Sequence, residues 1–116
     1  MSTGDTRAAL AAALSTVDGV TGYARRALVP APAPGDGWVQ WRGNLRADGW
    51  AFTQTWAVVI ALAGDEVQAD EWIEAHTDDL MDALEPVMFV ESFQPAALPL
   101  IGNSESLALM ITGRSE

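Results

Sequence analysis

The sequence predicts an α+β domain: a single mixed or antiparallel β-sheet of about four to five strands packed by two helices, in the order α-β-β-β-α-β-β. Three observations carry this. Residues 50–62 alternate with period two, which places Trp50, Phe52, Trp56, Val58, Ile60 and Leu62 on one face with only Gln54 interrupting the row. Residues 66–84 instead repeat apolar side chains at helical spacing, with Ala69, Trp72, Ile73, His76, Leu80 and Leu84 as a stripe and carboxylates over much of the rest. No internal repeat or dividing linker interrupts the 116 residues, so residues 1–116 are expected to form one domain.

Each element follows from local chemistry. A first helix is expected over residues 7–16, capped by Asp5 or Thr6, because AALAAAL has high helix propensity and Leu10, Leu14 and Val17 make a narrow apolar stripe. Asp18–Gly19 stops it. Residues 20–29, VTGYARRALV, read as the first strand. The PAPAPGDG that follows is a stiff loop, since Pro30, Pro32 and Pro34 remove ladder donors and favour extended polyproline geometry. It is either a plain connector or a rigid arm that touches a neighbour.

The second strand covers 38–45, and RADG, with Asp48–Gly49 suited to positive φ, turns the chain into the third strand at 50–62. The second helix spans 66–84, and Pro86 ends it. Residues 87–100 read as a strand broken at Pro95, which points to a sheet edge or a bend. IGNSES is a turn, and residues 107–112 form the last strand, with Leu107, Leu109 and Ile111 on one face.

Charge and composition narrow the function classes. The formal net charge is −10, with six arginines and no lysine, which argues against sequence-tolerant nucleic-acid binding and against anionic membranes. Without cysteine there is no disulfide, thiolate nucleophile or zinc–thiolate cluster. The opening residues lack a basic segment followed by a long apolar block, and are read as no signal peptide. His76 lies on the apolar stripe of the second helix, where a lone histidine is a core or boundary residue rather than a catalyst. Asp78, Asp79 and Asp82 lack the alternating ligands and glycine of a calcium loop and read as a solvated face. There is no G-x-S-x-G elbow, GDG is too short to be a phosphate cradle, and GNLRADG connects two strands rather than a strand to a helix. The expectation is therefore a protein that is not an enzyme and has no catalytic residue, cofactor or metal.

Four of the five tryptophans fall between Trp38 and Trp56. In a regular second strand Trp38, Gln40 and Arg42 face one way, and Val39 and Trp41 the other. One helix layer cannot bury both Trp38 and Trp41, so at least one points away from the core unless a bulge intervenes. Tryptophan beside arginine is a common composition for a contact surface. Trp38, Trp41, Arg42 and Arg46, with Pro32 and Pro34 of the proline arm, are accordingly the expected interface of a homo-oligomer. The competing expectation is that the second indole packs under the proline arm.

The succession RAALAAALSTVDGVTGYARR, a proline arm ending PGDGWVQWRG, then ADGWAFTQTWAVVIAL, an acidic helix, DALEPVMFVESFQPAAL and a closing LMITGRSE resembles the tail terminator proteins of long-tailed bacteriophages of actinobacteria. The resemblance spans nearly the whole chain and rests on order and spacing rather than on any one motif. It implies a structural virion protein at the head-proximal end of the tail, assembled in the host cytoplasm. Copies would form a ring, usually a hexamer, that caps the tail tube, ends tube polymerisation and offers a joining surface to head-completion or neck proteins. DNA would pass through without specific binding. Two alternatives stay open: another neck component of the same kind of virion, and a soluble peptide- or ligand-binding module that uses the tryptophan hairpin.

Overall fold

A computed structural model describes residues 2–29, 31–47, 51–62, 64–99 and 105–115, with the side chains of 45–47, 51–52, 98–99 and 105–106 left out of the description. The order is α1 (Thr3–Leu14), β1 (Thr21–Tyr23), a 3-10 turn at Arg26–Leu28, β2 (Asp36–Ala47), β3 (Ala51–Ala61), α2 (Glu66–Leu84), β4 (Phe89–Pro99) and β5 (Glu105–Ser115). The strands form one five-stranded mixed sheet in the order β1-β2-β3-β5-β4. β1 is parallel to β2, and every other neighbouring pair is antiparallel. With two helices among the described residues, this is the expected α+β fold.

α1 begins earlier than expected. Ser2, not Asp5 or Thr6, is its N-cap: the Ser2 hydroxyl accepts from the Asp5 amide at 3.1 Å and the Asp5 carboxylate accepts from the Ser2 amide at 3.4 Å. This reciprocal pair satisfies two otherwise free donors. Leu10, Leu14 and Val17 are buried as a stripe. α2 is capped by Asp65, whose side chain accepts from the Gln68 amide at 2.9 Å. Its Ala69, Leu80 and Leu84 are buried, and Trp72 and Ile73 pack against the same core.

Both helices lie on one face of the sheet. Val39, Trp56, Val58, Ile60, Leu109 and Ile111 point into that layer with Leu10, Leu14, Leu80 and Leu84. Each fully buried side chain of this size contributes about 1.5–3 kcal/mol. The alternation expected for the third strand therefore holds across Trp56, Val58 and Ile60. Trp50 of that row, and the Asp48–Gly49 turn, lie outside the described residues, as does most of IGNSES.

Three expectations about strands are corrected. The first strand is three residues, not ten: after Tyr23 the chain leaves the sheet and winds into the 3-10 turn, because it is needed over the opposite face. The fourth strand is not broken at Pro95, which pairs with Leu109 inside a continuous ladder; the register shift falls between Val90 and Ser92. β4 is nonetheless the sheet edge that this proline suggested, and an edge tolerates a residue without an amide hydrogen. The last strand is also longer than 107–112, since it pairs with both β3 and β4.

α1 approaches the sheet closely at one point. A side-chain carbon on Gly22 of β1 would collide with the carbonyl oxygen of Ala11 and lie 2.8 Å from the Leu14 Cβ. Only glycine lets the helix backbone sit that near the strand.

Candidate interaction surface

Among the described residues the sheet has two open sides, the outer side of β4 and, beyond the short β1, most of the outer side of β2. β1 pairs only with Asp36, Gly37 and Trp38, so from Val39 to Ala47 no described strand lies on the outer side of β2. Arg7 of α1 begins where β1 stops. Its guanidinium donates to the Val39 carbonyl at 3.0 Å and to the Ala24 carbonyl at 3.1 Å. It also stands 5.5 Å from the centre of the Trp56 ring. Burial, and secondarily the charge of Arg25, holds the Arg7 pKa below the ordinary arginine value. Two arginines therefore share this corner of the molecule.

Beyond Arg7 the strand bulges. Trp41 pairs with Trp56 and Gly43 with Thr55, which leaves Arg42 as an inserted residue with no partner in β3. Gly43 has φ +108°, a backbone that other residues rarely adopt, and its carbonyl accepts from the Thr55 hydroxyl at 2.9 Å. The insertion reverses the parity of the strand: Asn44 pairs with Gln54 and Arg46 with Phe52, in the row that contains Trp56. Trp41 is 45% exposed and Arg42 is exposed, so a large aromatic and an unpaired cation stand together on an open edge.

Trp38 is a correction. It does face away from the helices, as strand parity requires, but it is only 1% exposed. Its own chain covers it: Val29, Val59, Ala61 and Ala108 surround it with Tyr23 at the margin, and the Arg26 guanidinium lies 5.0 Å over its ring. In an isolated subunit Trp38 offers no contact surface. The cover is the segment through Val29, just before the proline arm. Pro32 is half-buried and Pro34 exposed, in a loop tied down by the Ala33 amide on the Asp36 carboxylate at 2.9 Å and the Gly35 amide on the Ala61 carbonyl at 2.8 Å. That loop enters β2 at Asp36, roughly 17 Å along the strand from Trp41 and roughly 33 Å from Arg46 at about 3.3 Å per residue. The six expected contact residues are thus not gathered. Trp41, Arg42 and Arg46 lie on one edge, the two prolines lie far from them, and Trp38 is core.

The opposite flank has a different character. α2 carries seven carboxylates and no cation, and Asp65 and Glu85 extend the series at its ends. Asp78, Asp79 and Asp82 are exposed, and among the described residues no group of three or more candidate ligands is placed to hold a metal ion. His76 is engaged within the helix, its ring stacked on Trp72 at 3.9 Å and its Nδ1 2.7 Å from the Trp72 carbonyl oxygen. Past the end of α2, Phe89 is 66% exposed with Arg114 5.6 Å over its ring and Glu91 3.2 Å from the Arg114 Nε. Sequence reasoning missed Phe89, because an alternating strand gives no sign of where its helix cover ends.

Arg114–Glu91 is the one ion pair among the described residues. Arg25 and Arg42 form none, although the chain carries sixteen carboxylates. The arginines other than Arg114 all belong to α1, the turn after β1, and β2; the carboxylates from Asp65 to Glu85 belong to α2 and its ends. One flank is cationic at its open edge, and the other is strongly anionic. No described helix is long and apolar enough to cross a membrane. No protein-family model matches the chain, and no curated protein matches it.

Proposed function

We propose that this chain is a structural virion protein which caps the phage tail tube as a ring of identical copies, ends tube polymerisation and provides the joining surface for the neck. The protein acts through contacts and catalyses no reaction. The observation that supports this reading best is the unpartnered β2 edge, where Trp41 is 45% exposed beside the unpaired Arg42 in a chain of net charge −10. A monomer designed only for solubility has no use for a large aromatic on an open strand edge, which invites association. Termination also requires two unlike surfaces, one that fits the tube and one that rejects further tube subunits. The division between an acidic helical flank and an arginine-bearing edge supplies unlike surfaces. The acidity itself discourages DNA from adhering during passage.

The test is to add the purified chain to elongating tail-tube protein and measure tube length by electron microscopy. Shorter tubes with extra density at one end are expected. Tubes of unchanged length and bare ends would overturn the reading.

A further inference from the structure

We infer that the β2 edge is a docking site for a second copy of this chain, and that its occupant is the acidic α2 flank of that copy, giving a head-to-tail contact rather than a two-fold one. The inference rests on the self-association in the function proposed above, but not on tube capping.

The argument is charge complementarity at an unpartnered edge. Arg42 and Arg25 are exposed, make no described ion pair, and lie on the same flank as Arg7 and Trp41. An isologous contact of this edge with itself would bring arginine against arginine. α2 against itself would bring seven carboxylates against seven. Either symmetric arrangement is penalised by like charges. Only the edge of one copy against α2 of another pairs opposite signs, and that contact leaves a free edge and a free α2 at its ends. It therefore propagates until a ring closes or a filament grows. The net charge of −10 opposes any association at long range, but at physiological salt the Debye length is about 8 Å. Charges in contact across the joint act largely unscreened by comparison with those on remote faces. Local complementarity decides the outcome, and Trp41 contributes apolar burial at its centre.

The experiment uses two full-length variants with charges reversed on opposite sides of the contact: Arg25→Glu with Arg42→Glu, and Asp78→Arg with Asp82→Arg. All four positions are exposed, and circular dichroism and thermal unfolding check that each variant folds as the parent does. Mass is followed by light scattering up to about 1 mM protein at about 0.15 M salt. The unaltered chain is expected to form species larger than a dimer, weakened at about 1 M salt. Each variant alone should associate about tenfold more weakly or worse, and an equimolar mixture should recover the assembly, because each reversed side then meets an opposite charge. A parent that stays monomeric over this range, a parent that stops at a two-fold dimer, or a mixture that fails to recover would overturn the inference. Recovery of assembly with no effect on tube length would leave this contact standing and remove the capping function. Capping at full strength by each charge-reversed variant alone would do the reverse.

Discussion

Trp41 and Trp56 are directly opposed across the β2–β3 ladder, yet Trp56 is 1% exposed and Trp41 45%. Two identical side chains in one cross-strand pair occupy different solvents. Trp56 lies on an inner strand and belongs to the main apolar core, whereas Trp41 lies on the open edge strand and outside that core. Arg7 stands over the Trp56 ring, and Ser115 accepts from its indole nitrogen at 2.9 Å.

Trp56→Ala should cost about 3–5 kcal/mol of unfolding free energy, the range for emptying a buried aromatic site. Trp41→Ala should cost about 1 kcal/mol, because much of its ring is already in water, while abolishing self-association. Guanidinium denaturation alongside light scattering separates the two effects.

Trp38→Ala should behave like Trp56→Ala, with a loss of about 3–5 kcal/mol. In addition, the 3-10 turn loses the ring on which Arg26 rests. Proteolysis between Arg25 and Val29 should then accelerate, which can be followed by mass spectrometry of timed digests.

Arg7→Met removes a cation that serves two carbonyls and one aromatic ring. Hydrogen bonds from a charged donor are worth about 1.5–3 kcal/mol, and the Val39 carbonyl would lie at an unpaired strand edge, so a loss near 2 kcal/mol is expected. Both bonds come from one nitrogen, Nη1, so Arg7→Lys should recover less than half of the loss because the shorter side chain must reach the same two oxygens and lacks the planar group over the Trp56 ring. Chemical denaturation of the three proteins checks the order.

Gly22→Ala should cost about 2 kcal/mol or more, since the new methyl collides with backbone of α1 rather than with a movable side chain. Hydrogen exchange should show the loss concentrated in α1 and β1, with β3 and β5 nearly unchanged.

Much of the architecture was legible in the sequence. Helix α2 and strand β3 are long and strongly periodic, so packing reinforces what local pattern predicts. The extent of β1 was not legible, because VTGYARRALV has strand composition throughout. What stops it at Tyr23 is the need to cover the Trp38 indole, a demand set by a distant turn of the chain. The residues of the expected surface are scattered for the same reason. Parity correctly put Trp38 and Trp41 on opposite faces, but parity cannot say whether another segment crosses above either ring. The bulge at Arg42 left only a faint sign in the neighbouring Gly43, since one inserted residue changes no composition.

That bulge has a consequence for how this region can vary. Arg42 has no partner across the ladder, so many side chains fit the position as far as folding is concerned. Deleting the residue would leave Gly43 directly after Trp41 and still opposite Thr55, so Gly43 to Ala47 would keep their partners and their sides. What would go is the local irregularity, with the left-handed backbone at Gly43 and the extra twist that a bulge brings. Evolution or engineering can rewrite or even drop the letter at this position without disturbing the ladder, and what changes is the shape of the open edge.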